Sequence, residues 1–242
     1  RIGLALVGIS VALAATACGS SAVGAAPIEP DGPLAQQMTS EVSDARAMKH
    51  LQALQKIADE HSGNRASGTS GYDVSVDYVV GVLRRAGFKV STPTYQGDGR
   101  RSREPERNVI AQTSTGDPGN IVMIGAHLDS VEDGPGIVDD GSGVATLLEI
   151  ASQLGANPAA QNAVRVAFFG GEENGAEGLN GYIRGLSNED RKKIKLYLNV
   201  DMVASKNGGY FVQGGKGHDT DESGPPGSAT IARVLADQLV KT

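Results

Sequence analysis

Apolar positions along this chain shift between helix-like and strand-like spacing. Within residues 41–61, Val42, Ala45, Met48, Leu51, Leu54, Ile57 and Ala58 fall three and four apart, which predicts an amphipathic helix. Turn-forming residues fill 62–71. Tyr72, Val76, Val79, Val80 and Leu83 then predict a second helix, stopped at Gly87. Residues 88–93 read as a strand and 96–107 as a charged, glycine-containing surface loop. Further on, apolar runs at 108–112, 121–126, 163–169 and 193–200 predict strands, with a short one at 209–212. Helical patterns occupy 144–154, a stretch near 179–186, and 228–240. Apolar strands alternating with helices predict an α/β fold, a mostly parallel central sheet with helices on both faces. No internal repeat is present.

The leader follows a different pattern. After Arg1, residues 2–17 form an apolar run broken only by Gly3, Gly8, Ser10 and Thr16. That is short for a membrane span and suits the core of a secretory signal. Ala15-Thr16-Ala17 directly before Cys18 resembles a bacterial lipobox, in which the cysteine is lipidated and becomes the mature N-terminus. Residues 1–18 are therefore expected to be a lipoprotein signal peptide, and 19–37, rich in Ser, Ala, Gly and Pro, a flexible tether. The folded domain would occupy 38–242, exported and anchored on the outer face of the cell membrane.

Composition removes several alternatives. Hydrophobic residues at 39% and charged residues at 21% of 242 allow a packed core and exclude wholesale disorder. With 22 Lys and Arg against 28 Asp and Glu, the net charge of −6 argues against a nucleic-acid partner. The absence of Trp, with aromatics at 4%, weighs against a base-stacking platform. A single cysteine excludes a disulfide framework and any multi-cysteine metal site.

The candidate chemistry lies where the central strands end. Residues 121–126 run into His127-Leu128-Asp129, 164–169 into Gly170-Gly171-Glu172-Glu173, and 196–200 into Asp201. Asp139-Asp140-Gly141 opens the helix after the first of these. Ligand sites of open α/β sheets sit beyond the carboxyl ends of the strands, so parallel neighbours would bring these groups together. Singly, Asp139 or Asp140 could cap a helix, Asp201 could end a strand, and His127 could be structural. Together, the acids would repel one another unless a cation neutralised them. Carboxylates plus imidazole without thiolate suit zinc, manganese or cobalt.

AHLDSV at 126–131, VDDGSG at 138–143, GGEENG at 170–175 and LNVDM at 198–202 resemble the M28 family of di-zinc aminopeptidases. NRASGTSGYDVSVDYVV at 64–80 also resembles the segment that precedes the core in the family's bacterial lipoproteins. The resemblance implies a zinc-peptidase-like three-layer sandwich acting on peptides with free N-termini. It implies that His127 and Asp201 hold one zinc, Glu173 the other, and that Asp139 bridges the two. Glu172 would be the general base, Asp129 would orient the His127 ring, and Asp140 would support the ligands through a cis peptide to Asp139. The family's second zinc takes a further histidine from a C-terminal motif that has no counterpart here. His218 is the only histidine after Asp201 and sits too early to match. The second site is thus incomplete in this chain, and the intact protein is expected to continue past Thr242. The alternatives are a glutaminyl-cyclase-like single-zinc enzyme, a carboxypeptidase of the same superfamily, or a non-catalytic envelope lipoprotein.

The leader generates one expected outcome. In the full-length precursor, Cys18→Ser should move the protein from the membrane fraction to the soluble fraction on centrifugation. A variant as firmly membrane-bound as its parent would exclude lipidation at this residue.

Overall fold

The apolar runs lie side by side in the computed structural model, which describes residues 9–12, 32–97, 99, 104–206, 208–209, 211–213 and 227–239. In chain order the elements begin with β1 (Ile9–Ala12), α1 (Pro33–Glu41), α2 (Asp44–Glu60), α3 (Ser70–Arg85), β2 (Lys89–Ser91), β3 (Thr94–Tyr95), β4 (Glu106–Arg107) and β5 (Val109–Gln112). They continue with β6 (Asp117–His127), α4 (Gly141–Leu154), β7 (Asn162–Phe169), α5 (Glu177–Gly185), α6 (Asn188–Lys193), β8 (Ile194–Asn199), β9 (Val212–Gln213) and α7 (Ser228–Leu239).

The main sheet has the order β2-β5-β7-β6-β8-β1-β9. Its centre is parallel: Ile124 of β6 lies opposite Val166 of β7 on one side and Leu198 of β8 on the other. The flanks are mixed, with β2–β5, β5–β7 and β1–β8 antiparallel and β1–β9 parallel. Side chains alternate between the two faces, as the pleat requires. Val109, Ala111, Val166 and Phe168 pack under Leu54 of α2, Val76, Val79 and Leu83 of α3, and Val144, Leu147 and Leu148 of α4. Their neighbours Ile110, Ala167 and Phe169 face the other way, against Leu179 and Tyr182 of α5. The three layers expected from the sequence are therefore present.

Local chemistry sets the helix boundaries. Thr69 caps α3 by accepting from the Tyr72 N–H at 3.3 Å, and Gly87 leaves it with φ +89°. Glu149, buried on α4, accepts from the Ser43 N–H at 3.0 Å and from Arg46 Nε at 2.9 Å, which ties the start of α2 to α4.

Several expectations are corrected. The helix expected from residue 41 begins at Asp44, and the tether expected to reach residue 37 gives way at Pro33 to α1. Proline at the first helical position, with a preset φ, favours that early start. Beyond these corrections, Ile9–Ala12 pairs with the edge of β8, Val11 opposite Leu198 and Ala12 opposite Tyr197. An apolar strand there satisfies backbone groups that an open edge would leave unpaired. The loop expected over 96–107 contributes β4, which pairs with β3. Helix α6 has no apolar periodicity to betray it and starts on a Ser187 cap, whose Oγ accepts from the Asp190 N–H at 3.0 Å. His50 and His61 on and just after α2 are half-buried; His50 Nδ1 lies 2.6 Å from the Tyr78 hydroxyl, and burial lowers its pKa. Cys18, residues 19–31 and His218 lie outside the described residues. Among the described residues, no helix is long and apolar enough to cross a membrane.

Leu148, fully buried between α4 and the sheet, gives the core a direct test. Leu148→Ala should lower unfolding free energy by about 2–5 kcal/mol in urea titration. Val74→Ala, at an exposed position on α3, should change it by less than about 0.5 kcal/mol.

Candidate metal centre

Because β7, β6 and β8 run parallel, their carboxyl ends open onto one edge of the sheet. His127 ends β6 opposite Phe169, the last residue of β7, and the Val200 N–H bonds the Gly125 carbonyl at 2.8 Å just before Asp201. The imidazole is almost fully buried. Its Nε2 lies 2.9 Å from Asp139 Oδ1, and 4.0 Å from both Asp201 Oδ1 and Glu172 Oε2. Among the described residues, His127, Asp139 and Asp201 present ligand atoms that all fall within 4.8 Å of one another. Glu173 stands beside this trio rather than in it, on the turn after β7.

Two buried acids hold the frame around these groups. Asp140 caps α4 by accepting from the Gly143 N–H at 2.9 Å, and the same Oδ1 accepts from the Met202 N–H at 3.0 Å. Its Oδ2 accepts from the His127 N–H at 3.1 Å. One carboxylate therefore links β6, the start of α4 and the segment after β8. Position 143 must be glycine, because a Cβ there would lie 2.6 Å from the Val200 carbonyl oxygen as well as against the Asp140 carboxylate. The peptide between Asp139 and Asp140 is cis, as the family resemblance implies.

Asp129, also fully buried, faces the imidazole: His127 Nδ1 lies 3.2 Å from its carbonyl oxygen and 3.5 Å from its Oδ1. Its carboxylate further accepts from the Glu172 N–H at 3.1 Å and the Glu173 N–H at 3.3 Å. This second duty went beyond what the sequence suggested. Two other residues were not singled out from the sequence at all. Asn108 holds the turn after β7, accepting from the Gly170 N–H at 3.1 Å and donating to the Gly178 carbonyl at 2.9 Å. Arg65 is buried beside Asp129 and Asp140. Only its place inside the NRASG motif could have drawn attention to it.

The electrostatics fit a cation site. Burial and the neighbouring charges of Asp139 and Glu172 push Asp201 up to about 6, against the opposing pull of His127. Burial, with Asp139, Asp129 and Glu172 nearby, pushes Glu173 up to about 7, again against His127. Burial raises Asp140 well above the usual carboxylate range. For His127, burial opposes the charge, but bonds to Asp129 and Asp139 and the charge of Asp140 prevail, and its pKa is pushed up to about 12. Among the described residues, the group between Asp139, Glu172 and Asp201 that can carry positive charge is the His127 imidazole. A divalent ion would meet the same demand with one nitrogen and several oxygen donors, a set that zinc accepts. A cleft of about 200 Å³ opens beside His127 and Glu172, with Phe169, Leu179 and Tyr197 in its wall.

Known proteins share these features. The sequence pattern of peptidase family M28 matches residues 108–240. The probable lipoprotein aminopeptidase LpqL of Mycobacterium tuberculosis is 45% identical over 206 residues, covering 81% of this chain and 41% of LpqL. Leupeptin-inactivating enzyme 1 of Streptomyces exfoliatus is 41% identical over 213 residues, covering 87% of this chain and 44% of that protein. The chain spans less than half the length of both relatives. An aminopeptidase from Aneurinibacillus sp. strain AM-1 superposes with a TM-score of 0.58 over 72% of this chain and 74% of its own. At 18% identity that likeness is one of fold.

The three bonds to Asp140 lead to a stability test. Asp140→Ala removes a helix cap and leaves buried N–H groups without an acceptor, so it should cost at least about 2 kcal/mol in urea unfolding of the metal-free protein. An unchanged midpoint would mean that these groups find other acceptors.

Proposed function

Because the chain belongs to peptidase family M28, we propose that it is the core of an exported, zinc-dependent aminopeptidase that removes N-terminal residues from peptides. The observation that carries this reading is the meeting of His127, Asp139 and Asp201 at the ends of β6 and β8, beside Glu172 and Glu173. In this reading His127 and Asp201 would hold one zinc and Glu173 the other, and Asp139 would serve both. Bound zinc supplies a more acidic water and a polarised scissile carbonyl. Membrane attachment through Cys18 is part of the proposal. It draws support from the leader and from LpqL, which is named a lipoprotein.

The remaining work falls to side chains of the chain itself. Glu172 takes the proton from the attacking water and passes it to the leaving amine. Its carboxylate is free to do so, being half exposed at the mouth of the site and 4.0 Å from His127 Nε2. Glu173 follows it directly on a turn in which the Glu172 carbonyl accepts from the Gly175 and Ala176 N–H groups at 2.8 and 3.0 Å, and the two carboxylates divide proton transfer and metal binding. Asp129 fixes that division by accepting from both backbone N–H groups while it faces the imidazole. The free amino terminus of a peptide is a cation, which suits an edge this rich in carboxylates.

The test separates the two glutamates. In active whole protein, Glu172→Ala should keep its metal content by mass spectrometry and lose about 10²–10⁴-fold in kcat on an aminoacyl anilide. Glu173→Ala should lose affinity for one metal, with partial recovery in excess zinc. Near-parental turnover of Glu172→Ala would refute the assignment, as would metal loss confined to that variant. Release of free amino acid from an unblocked peptide distinguishes hydrolysis from cyclisation.

A further inference from the structure

Arg65 lies in the turn between α2 and α3, far from the site in sequence, yet it is fully buried. Its guanidinium donates to three carbonyls: Pro135 from Nε at 3.0 Å, Gly136 from NH2 at 2.8 Å, and Leu128 from NH1. Its own backbone is clasped to the same loop, since its N–H donates to Ser130 Oγ at 2.9 Å and its carbonyl accepts from the Ser130 N–H at 3.3 Å. All these partners belong to the single loop between His127 and Asp139. Leu128 directly follows the histidine, and Gly136 comes three residues before the aspartate. The Gly136 carbonyl also accepts from the Gly141 N–H at 2.9 Å, so the same oxygen meets both Arg65 and the first turn of α4.

The loop is shaped to receive the side chain. Gly136 has φ +58°, and a Cβ there would lie 2.6 Å from the Asp139 carbonyl oxygen and 3.1 Å from Arg65 NH2. The guanidinium charge faces Asp129 and Asp140, the two acids that hold the frame rather than the trio. A planar fork can serve three carbonyls at set angles, whereas a lysine ammonium is a single point on a flexible stem.

We propose that Arg65 is a positioning residue for the metal centre: it sets the path of residues 128–136 and thereby the placement of Asp139 relative to His127. The proposal rests on the metallopeptidase reading above. A residue that only stapled the fold would have its acceptors spread over the core. Those of Arg65 are confined to the loop joining two members of the trio.

The experiment measures zinc affinity of the purified full chain by competition with a chromophoric chelator. The visible absorption of the cobalt-substituted protein and the urea midpoint of the metal-free protein are recorded alongside. Arg65→Met should weaken zinc binding about 10–100-fold, the range seen when a partner behind a ligand is removed, and should shift the cobalt bands. Arg65→Lys should recover only part of that loss. Gly136→Ala, which keeps Arg65 and its charge but disturbs its seat, should reproduce the weakened affinity. A folded Arg65→Met with parental affinity and cobalt spectrum would overturn the proposal, and so would full recovery with lysine. Failure of all three variants to fold would make Arg65 a determinant of the fold and overturn it equally. A parent chain that binds no zinc would instead overturn the metallopeptidase reading, and the proposal with it.

Discussion

Three backbone N–H groups, those of His127, Gly143 and Met202, converge on the carboxylate of Asp140. The first ends β6, the second opens α4, and the third follows Asp201 after β8. Because each belongs to a segment that carries or adjoins one member of the trio, their common acceptor fixes the spacing of His127, Asp139 and Asp201. Asp129 does the same for the turn after β7 through the N–H groups of Glu172 and Glu173. The frame is therefore built from two buried acids, and the groups left to face the cleft are further acids and one imidazole.

That arrangement carries an electrostatic cost. Two of the acids at the edge, Asp201 and Glu173, are held above their ordinary pKa by burial and by the neighbouring carboxylates of Asp139 and Glu172, and the pull of His127 offsets only part of that shift. A site assembled this way suits a divalent cation, because the frame has already brought the donors together. Parallel pairing of β6 with β7 and β8 is what makes the assembly possible. It sends three loops to the same edge, where an antiparallel centre would have sent neighbouring loops to opposite ends.

Much of this was legible in the sequence, for identifiable reasons. The central strands are continuous apolar runs, so their positions and the acids beyond them could be read directly. Alternation with helices predicted the layers, and the strand-end positions of His127, Glu172 and Asp201 predicted their meeting. Other elements left no such trace. Helix α6 is wholly polar, α1 hides in a segment of tether-like composition, and β3 and β4 are two residues each. Arg65 and Asn108 were missed because their partners are backbone groups more than sixty residues away, which no local pattern encodes. Asp129 was expected to serve the imidazole, but its bonds to the Glu172 and Glu173 backbone depend on how β7 lies beside β6.

The central claim is that His127, Asp139 and Asp201 form one metal-binding point at the carboxyl edge of the sheet. It is tested most directly by crystallography of the zinc-loaded protein, with data collected on both sides of the zinc absorption edge. The account predicts an anomalous peak within bonding distance of His127 Nε2 and of carboxylate oxygens from Asp139 and Asp201. Zinc bound only elsewhere, for instance at His50 or His61, with no peak between these three residues, would contradict it.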